Sequence, residues 1–111
     1  MAIKISIGNK VRFKVRGTLK DENGNDQPFD FSLTCVRLDA DKIQSKLRSD
    51  SEASVTDFLA DVAEDWTGVK GADDKDLPYS TDNLRELLKI VGLATLAFHT
   101  YLKEVGAKEK N

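Results

Sequence analysis

The stretch Asp65-Trp66-Thr67-Gly68-Val69, then Lys70-Gly71-Ala72-Asp73-Asp74-Lys75-Asp76, then Leu77-Pro78-Tyr79-Ser80-Thr81-Asp82-Asn83-Leu84-Arg85-Glu86-Leu87-Leu88, is the most informative part of this chain. Leading into it, Val55, Phe58, Leu59, Val62 and Trp66 recur at i, i+3, i+4, i+7 and i+11, the stripe of one helix face, with Ser54 and Asp57 as a weak capping box. The pattern predicts a helix that closes on the only Trp and ends near Gly68. The acidic loop after it has no apolar anchor beyond Ala72 and reads as solvated and mobile. Pro78 biases Leu77 towards extended backbone, and Ser80, three residues ahead of Asn83, suits the N-cap of a further helix whose apolar face is Leu84, Leu87, Leu88 and Val91. Nothing in the stretch is a nucleophile with its base, a metal cluster or a phosphate loop; it is an interaction scaffold.

Working outward, Gly92 interrupts the helical pattern and Leu93, Leu96, Ala97, Leu102 and Val105 resume it, with Phe98 and Tyr101 beside them. A bent helix or two helices in tandem follow from that spacing. Before the central stretch, Asp39 or Asp41 can cap a short helix carrying Ile43 and Leu47, which the polar Ser49-Asp50-Ser51 ends. Further back the period becomes two. Val11, Phe13 and Val15 alternate with Lys10, Arg12, Lys14 and Arg16, and Phe29, Phe31, Leu33 and Cys35 alternate with Asp30, Ser32 and Thr34. Between them Asp21-Glu22-Asn23-Gly24-Asn25-Asp26 is dense in turn formers, which makes a β-hairpin. Ile3, Ile5 and Ile7 alternate as well and predict a first strand. The fold expected is α+β: a small N-terminal antiparallel β-hairpin or three-stranded sheet followed by three to four α-helices. With 111 residues this is one domain, with a sheet part over 1–38, a helical part over 39–105 and a frayed tail over 106–111.

Composition excludes several functions. A net charge of −2 describes neither a disordered tail nor a polybasic nucleic-acid binder. No stretch approaches the roughly 20 apolar residues of a membrane span, and no export signal opens the chain, so a cytoplasmic protein without membrane partners is expected. Cys35 is the only cysteine, which leaves no intrachain disulfide, and its place in an alternating strand predicts a buried, inert thiol. His99 is the only histidine and has no second ligand at metal spacing. It also has no carboxylate near it before Glu104, so a nucleophilic triad cannot be assembled. Asp73, Asp74 and Asp76 are numerous, but a solvated loop neither raises a carboxyl pKa nor positions it, and the calcium-loop order is missing. No catalytic residue, metal or cofactor is expected, and the chain is read as a non-enzyme.

The order and spacing of Asp65-Trp66-x-Gly68-Val69, the acidic loop, Leu77-Pro78-Tyr79-Ser80, Asn83-Leu84 and Leu87-Leu88, with a last helix after them, resemble the tail assembly chaperones of long-tailed bacteriophages and related prophages. The resemblance covers Ser54 to about Val105. It implies a non-virion morphogenesis factor, working in the bacterial host cytoplasm, that binds the tape measure protein and helps recruit tail tube subunits. It carries over no catalytic residue. By position, Trp66, Leu77 and Tyr79 would clasp the helices, and exposed members of Leu93, Leu96, Phe98, Tyr101 and Leu102 would touch the client. Self-association is compatible with this role. Such chaperones are often made in two lengths by a −1 frameshift, and Glu109-Lys110-Asn111 can be encoded by a slippery heptamer, which a Lys110 codon AAG would rule out.

Two other readings make different predictions. A structural or adaptor protein of the tail or head-tail junction would remain in the finished particle. A small nucleic-acid-binding regulator would use the basic strand Lys10–Arg16 and be retained on DNA or RNA in a salt-sensitive way. The paired strand carries no stacking aromatic on that face, which disfavours the latter.

Overall fold

A computed structural model describes residues 2 and 8–107. The alternating Ile3, Ile5 and Ile7 and the Glu109-Lys110-Asn111 ending lie outside the described residues. The period-two segments form strands β1 (Lys10–Lys20) and β2 (Asp26–Val36), paired antiparallel without a break from Lys10 opposite Val36 to Lys20 opposite Asp26. At the turn the Asp21 carboxylate accepts the backbone N–H groups of Asn23 and Asn25, both at 2.9 Å, and the Gln27 amide at 3.0 Å. Gly24 supplies the left-handed residue, φ +80°, that the turn requires.

The helical part begins with α1 (Ala40–Lys46), capped by the Asp39 side chain on the Lys42 N–H, and α2 (Glu52–Val62). The α2 cap is Ser51, accepting from Ser54, and not Ser54 itself: the helix starts one turn earlier than the Ser54–Asp57 pair suggests. Val55, Phe58, Leu59 and Val62 are buried as the stripe requires. Trp66 departs from that stripe. The backbone turns extended at Ala63, and β3 (Ala63–Thr67) joins the sheet antiparallel to β2, giving the order β1-β2-β3 with a register shift between Thr34 and Cys35. The third described strand therefore comes from the middle of the chain, inside the segment expected to be helical. The irregular ladder accommodates the swap: Trp66 meets Leu33 while Asp65 and Thr67 point away, and the shift between Thr34 and Cys35 skips Glu64, which stays exposed, and puts Ala63 opposite Cys35.

After β3, α3 (Thr81–Leu87) is capped by Ser80 on the Asn83 N–H, and α4 (Leu93–Val105) starts at Gly92, whose φ is +83°. α2 and α4 cover one face of the sheet. Phe13, Phe58, Phe98 and Tyr101 meet edge-on in the core, with ring centroids 5.2 to 6.0 Å apart. The Tyr101 hydroxyl donates to the Val36 carbonyl at 2.8 Å and accepts the Leu38 N–H at 3.1 Å, tying α4 to the end of β2. Cys35 has no exposed surface, and burial, reinforced by the Glu64 charge, pushes its thiol up to about 12.

A second tie runs between helices. The Glu52 carboxylate at the start of α2 accepts the Gly92 N–H at 2.6 Å and both the Thr95 N–H and hydroxyl, at 3.2 and 3.0 Å. It thus caps the first turn of α4, which has no side-chain cap of its own.

Candidate functional site: an apolar end built by the hairpin and the turn between α3 and α4

The inward positions of the hairpin run on past the helical layer. Val11, Phe13 and Val15 are covered, but Gly17 and Leu19 continue the same face, and on β2 Phe29 continues that of Phe31 and Leu33. Gly17 stands opposite Phe29, and a Cβ there would meet the Phe29 ring at 2.7 Å, so the glycine makes room for the ring. Phe29 stacks on Phe31 at 6.5 Å with an interplanar angle of 22°. The overhanging end meets the turn that joins α3 to α4. Ile90 N–H bonds to the Leu87 carbonyl and Leu93 N–H to that of Ile90, a tight reversal that leaves Val91 94% exposed. Leu19 is 41% exposed beside it, and Phe29, Leu87, Ile90 and Leu96 are half-buried. Together they line a small apolar cleft of about 160 Å³ and an adjoining hollow that reaches Leu96 and Val91.

Val91 was expected to extend the buried face of Leu84, Leu87 and Leu88. It does not, because α3 stops at Leu87 and the turn swings Val91 outward. At the other end of α4, Leu102 is 37% exposed in a wider groove of about 590 Å³, shared with Leu38, Ile43 and Val105 and edged by Arg37 and Lys42. Arg37 donates to the last carbonyl of α4, that of Val105, at 2.9 Å.

The structure divides the five residues expected to include client contacts. Phe98 and Tyr101 are core, 6% and 0% exposed, and cannot reach a partner in this fold. Leu93 is buried but lines both the cleft and the adjoining hollow, Leu96 lines the hollow, and Leu102 belongs to the opposite groove. Sequence reasoning passed over Leu19, Phe29, Ile90 and Val91 as contacts. The available signal was the inward face continuing to Leu19 and Phe29 beyond the length a short helical layer can cover.

The remaining motif residues are structural. The Trp66 indole N–H donates to the Leu77 carbonyl at 2.8 Å, the Tyr79 hydroxyl to that of Ala63 at 3.1 Å, and the two rings meet edge-on at 5.3 Å. Burial raises the Tyr79 pKa. Gly68, φ +86°, lets the chain turn against the Phe31 backbone. Asn83 returns a hydrogen bond to the Pro78 carbonyl, Ser80 caps α3, and Leu84 and Leu88 are buried. The acidic loop is more ordered than its composition suggests: the backbones of Lys70 and Asp76 pair in an isolated antiparallel β-bridge, Gly71 N–H bonds to the Lys75 carbonyl, and Leu77 N–H to that of Val69. Asp73, Asp74 and Asp76 nonetheless stay exposed on this small hairpin. Among the described residues no three His, Cys, Asp or Glu side chains gather as metal ligands, and no helix is long and apolar enough to cross a membrane. The chain matches no protein-family model, no curated protein and no solved structure.

Proposed function

We propose that this chain is a non-enzymatic assembly chaperone of the long-tailed phage type, which shields an apolar helical client, the tape measure protein, and helps recruit tail tube subunits to it. The observation that carries the reading is the apolar end formed by Leu19, Phe29, Ile90, Val91 and Leu96. Two of the three large apolar side chains that are exposed among the described residues, Leu19 and Val91, lie together at this end beside half-buried Phe29, Ile90 and Leu96, and a contiguous apolar patch of this kind marks an interaction surface where a single exposed side chain would not. A client helix presenting residues at i, i+3, i+4 and i+7 could lay one turn over this end and seat a single side chain in the cleft. Contacts of this kind are weak singly and tolerant of sequence, which suits a client that is long, repetitive and helical.

The experiment is co-expression with the tape measure protein, comparing the native chain with Leu19→Asp/Val91→Asp. Both positions are exposed, so the variant should fold normally by circular dichroism. Each apolar side chain buried on the client is worth about 1.5 to 3 kcal/mol, so losing both should weaken association by a hundredfold or more and leave the client insoluble. Undiminished solubilisation by the folded variant refutes the site.

A further inference from the structure

We propose that the edge of β1 that no described residue pairs is a docking site for an extended acidic segment of a partner protein, which adds to the sheet as a further strand with Asp or Glu at every second position. The sheet order is β1-β2-β3, so among the described residues β1 has a neighbour on one side only. The two edges are unlike each other. β3 is a five-residue strand whose pairing is broken by a register shift and closed by the Gly68 turn. β1 runs eleven residues in unbroken register, the long, regular kind of edge that invites another strand.

Charge decides which strand it admits. Lys10, Arg12, Lys14 and Arg16 all stand on the outward face of β1. Lys10 pairs with Glu64 at 2.9 Å and Arg12 reaches across the sheet to the Thr67 hydroxyl at 3.2 Å. Lys14 and Arg16 have no ion-pair partner among the described residues, although Asp30 lies opposite Arg16 in the ladder. A second copy pairing antiparallel about Val15 would set Lys14 of one copy against Arg16 of the other, and like charges directly opposite are destabilising. The same side chains that keep identical edges apart would each face an opposite charge on a strand with alternating carboxylates. Main-chain hydrogen bonds would then supply affinity, and the carboxylate spacing selectivity. A single-stranded nucleic acid would meet the same cations but would find no aromatic among Ser32, Thr34 and Thr67 on which to stack its bases.

The probe is a fluorescent nine-residue peptide alternating Glu with Val and Thr, titrated into the full chain at low salt. Controls are the same peptide with Lys for Glu, the same peptide with a central Pro, and a single-stranded oligonucleotide. The Glu peptide is expected to bind, to weaken as salt is raised, and to slow hydrogen exchange of alternate β1 amides. The Lys and Pro versions should not bind, and Lys14→Glu/Arg16→Glu should weaken binding about tenfold, two cross-strand pairs being turned from attractive to repulsive. The variant's thermal unfolding, expected unchanged, separates lost binding from lost folding. Equal binding of the Glu and Pro peptides reduces the effect to bulk charge and overturns the proposal. So does retention of the oligonucleotide alone, self-association through β1, or β1 amides already fully protected in the free chain.

Discussion

Removing one oxygen, by Tyr101→Phe, tests how the sheet and the last helix are joined. The ring stays, so its edge-on contacts with Phe13 and Phe58 and its fully buried volume are retained. What goes is the donor to the Val36 carbonyl and the acceptor for the Leu38 N–H. Leaving a buried polar group without its partner costs about 1 to 3 kcal/mol, and two groups in a part-buried setting sum to about 2 to 3 kcal/mol. For a domain of this length that lowers Tm by roughly 8 to 12 °C. Urea unfolding followed by the fluorescence of Trp66 should show a lower midpoint with an unchanged slope, since no extra surface opens in the native state. A change under about 0.5 kcal/mol would mean that water or neighbouring groups satisfy both backbone positions without the hydroxyl, and that the Tyr101 oxygen does not tie α4 to the sheet.

Alkali should destabilise the fold. Burial raises the pKa of Cys35 to about 12 from an ordinary 9.0 and raises those of Tyr79 and Tyr101 as well. A group whose folded pKa is raised contributes stability that is complete below its unfolded pKa and lost as pH climbs through the folded value, so midpoints should fall progressively above about pH 9, the ordinary Cys value. In Cys35→Ala the decline should begin later, at the tyrosine range, and an identical profile would contradict the assignment. Glu52→Ala should cost about 1 kcal/mol by exposing the first turn of α4, with amide exchange at Gly92 and Thr95 speeding up before any other position. If exchange there is unaltered, the carboxylate is not the cap.

The hairpin was legible because its two alternating runs and turn residues agree on one structure, and the register follows from them. The Ser80 cap was legible for the same local reason, whereas Asp39 and Asp41 both suited the first helix and the structure caps it with Asp39. Trp66 was misread because it falls four positions after Val62, on the helical period, while Glu64 between them interrupts the strand period, and only pairing with the open edge of β2 through an irregular register makes the segment a strand. Glu52 could not be read as a cap, since its partners are 40 and 43 residues away. At the site, the loop after α3 was the obstacle. Whether Val91 continues a buried face or points into water depends on where α3 stops, and helix ends are the least determined feature of a sequence.

The proposed role requires the overhanging apolar end of Leu19, Phe29, Ile90, Val91 and Leu96 to hold a client helix. Its most direct test is the chemical-shift response of methyl groups in this chain to a helical fragment of the tape measure protein. The account predicts large, saturable changes at Leu19, Ile90, Val91 and Leu96, with Leu33 and Leu59 in the core unmoved. Saturable binding that perturbs only the Leu102 groove or the outer sheet face, leaving Leu19 and Val91 unchanged, would contradict it.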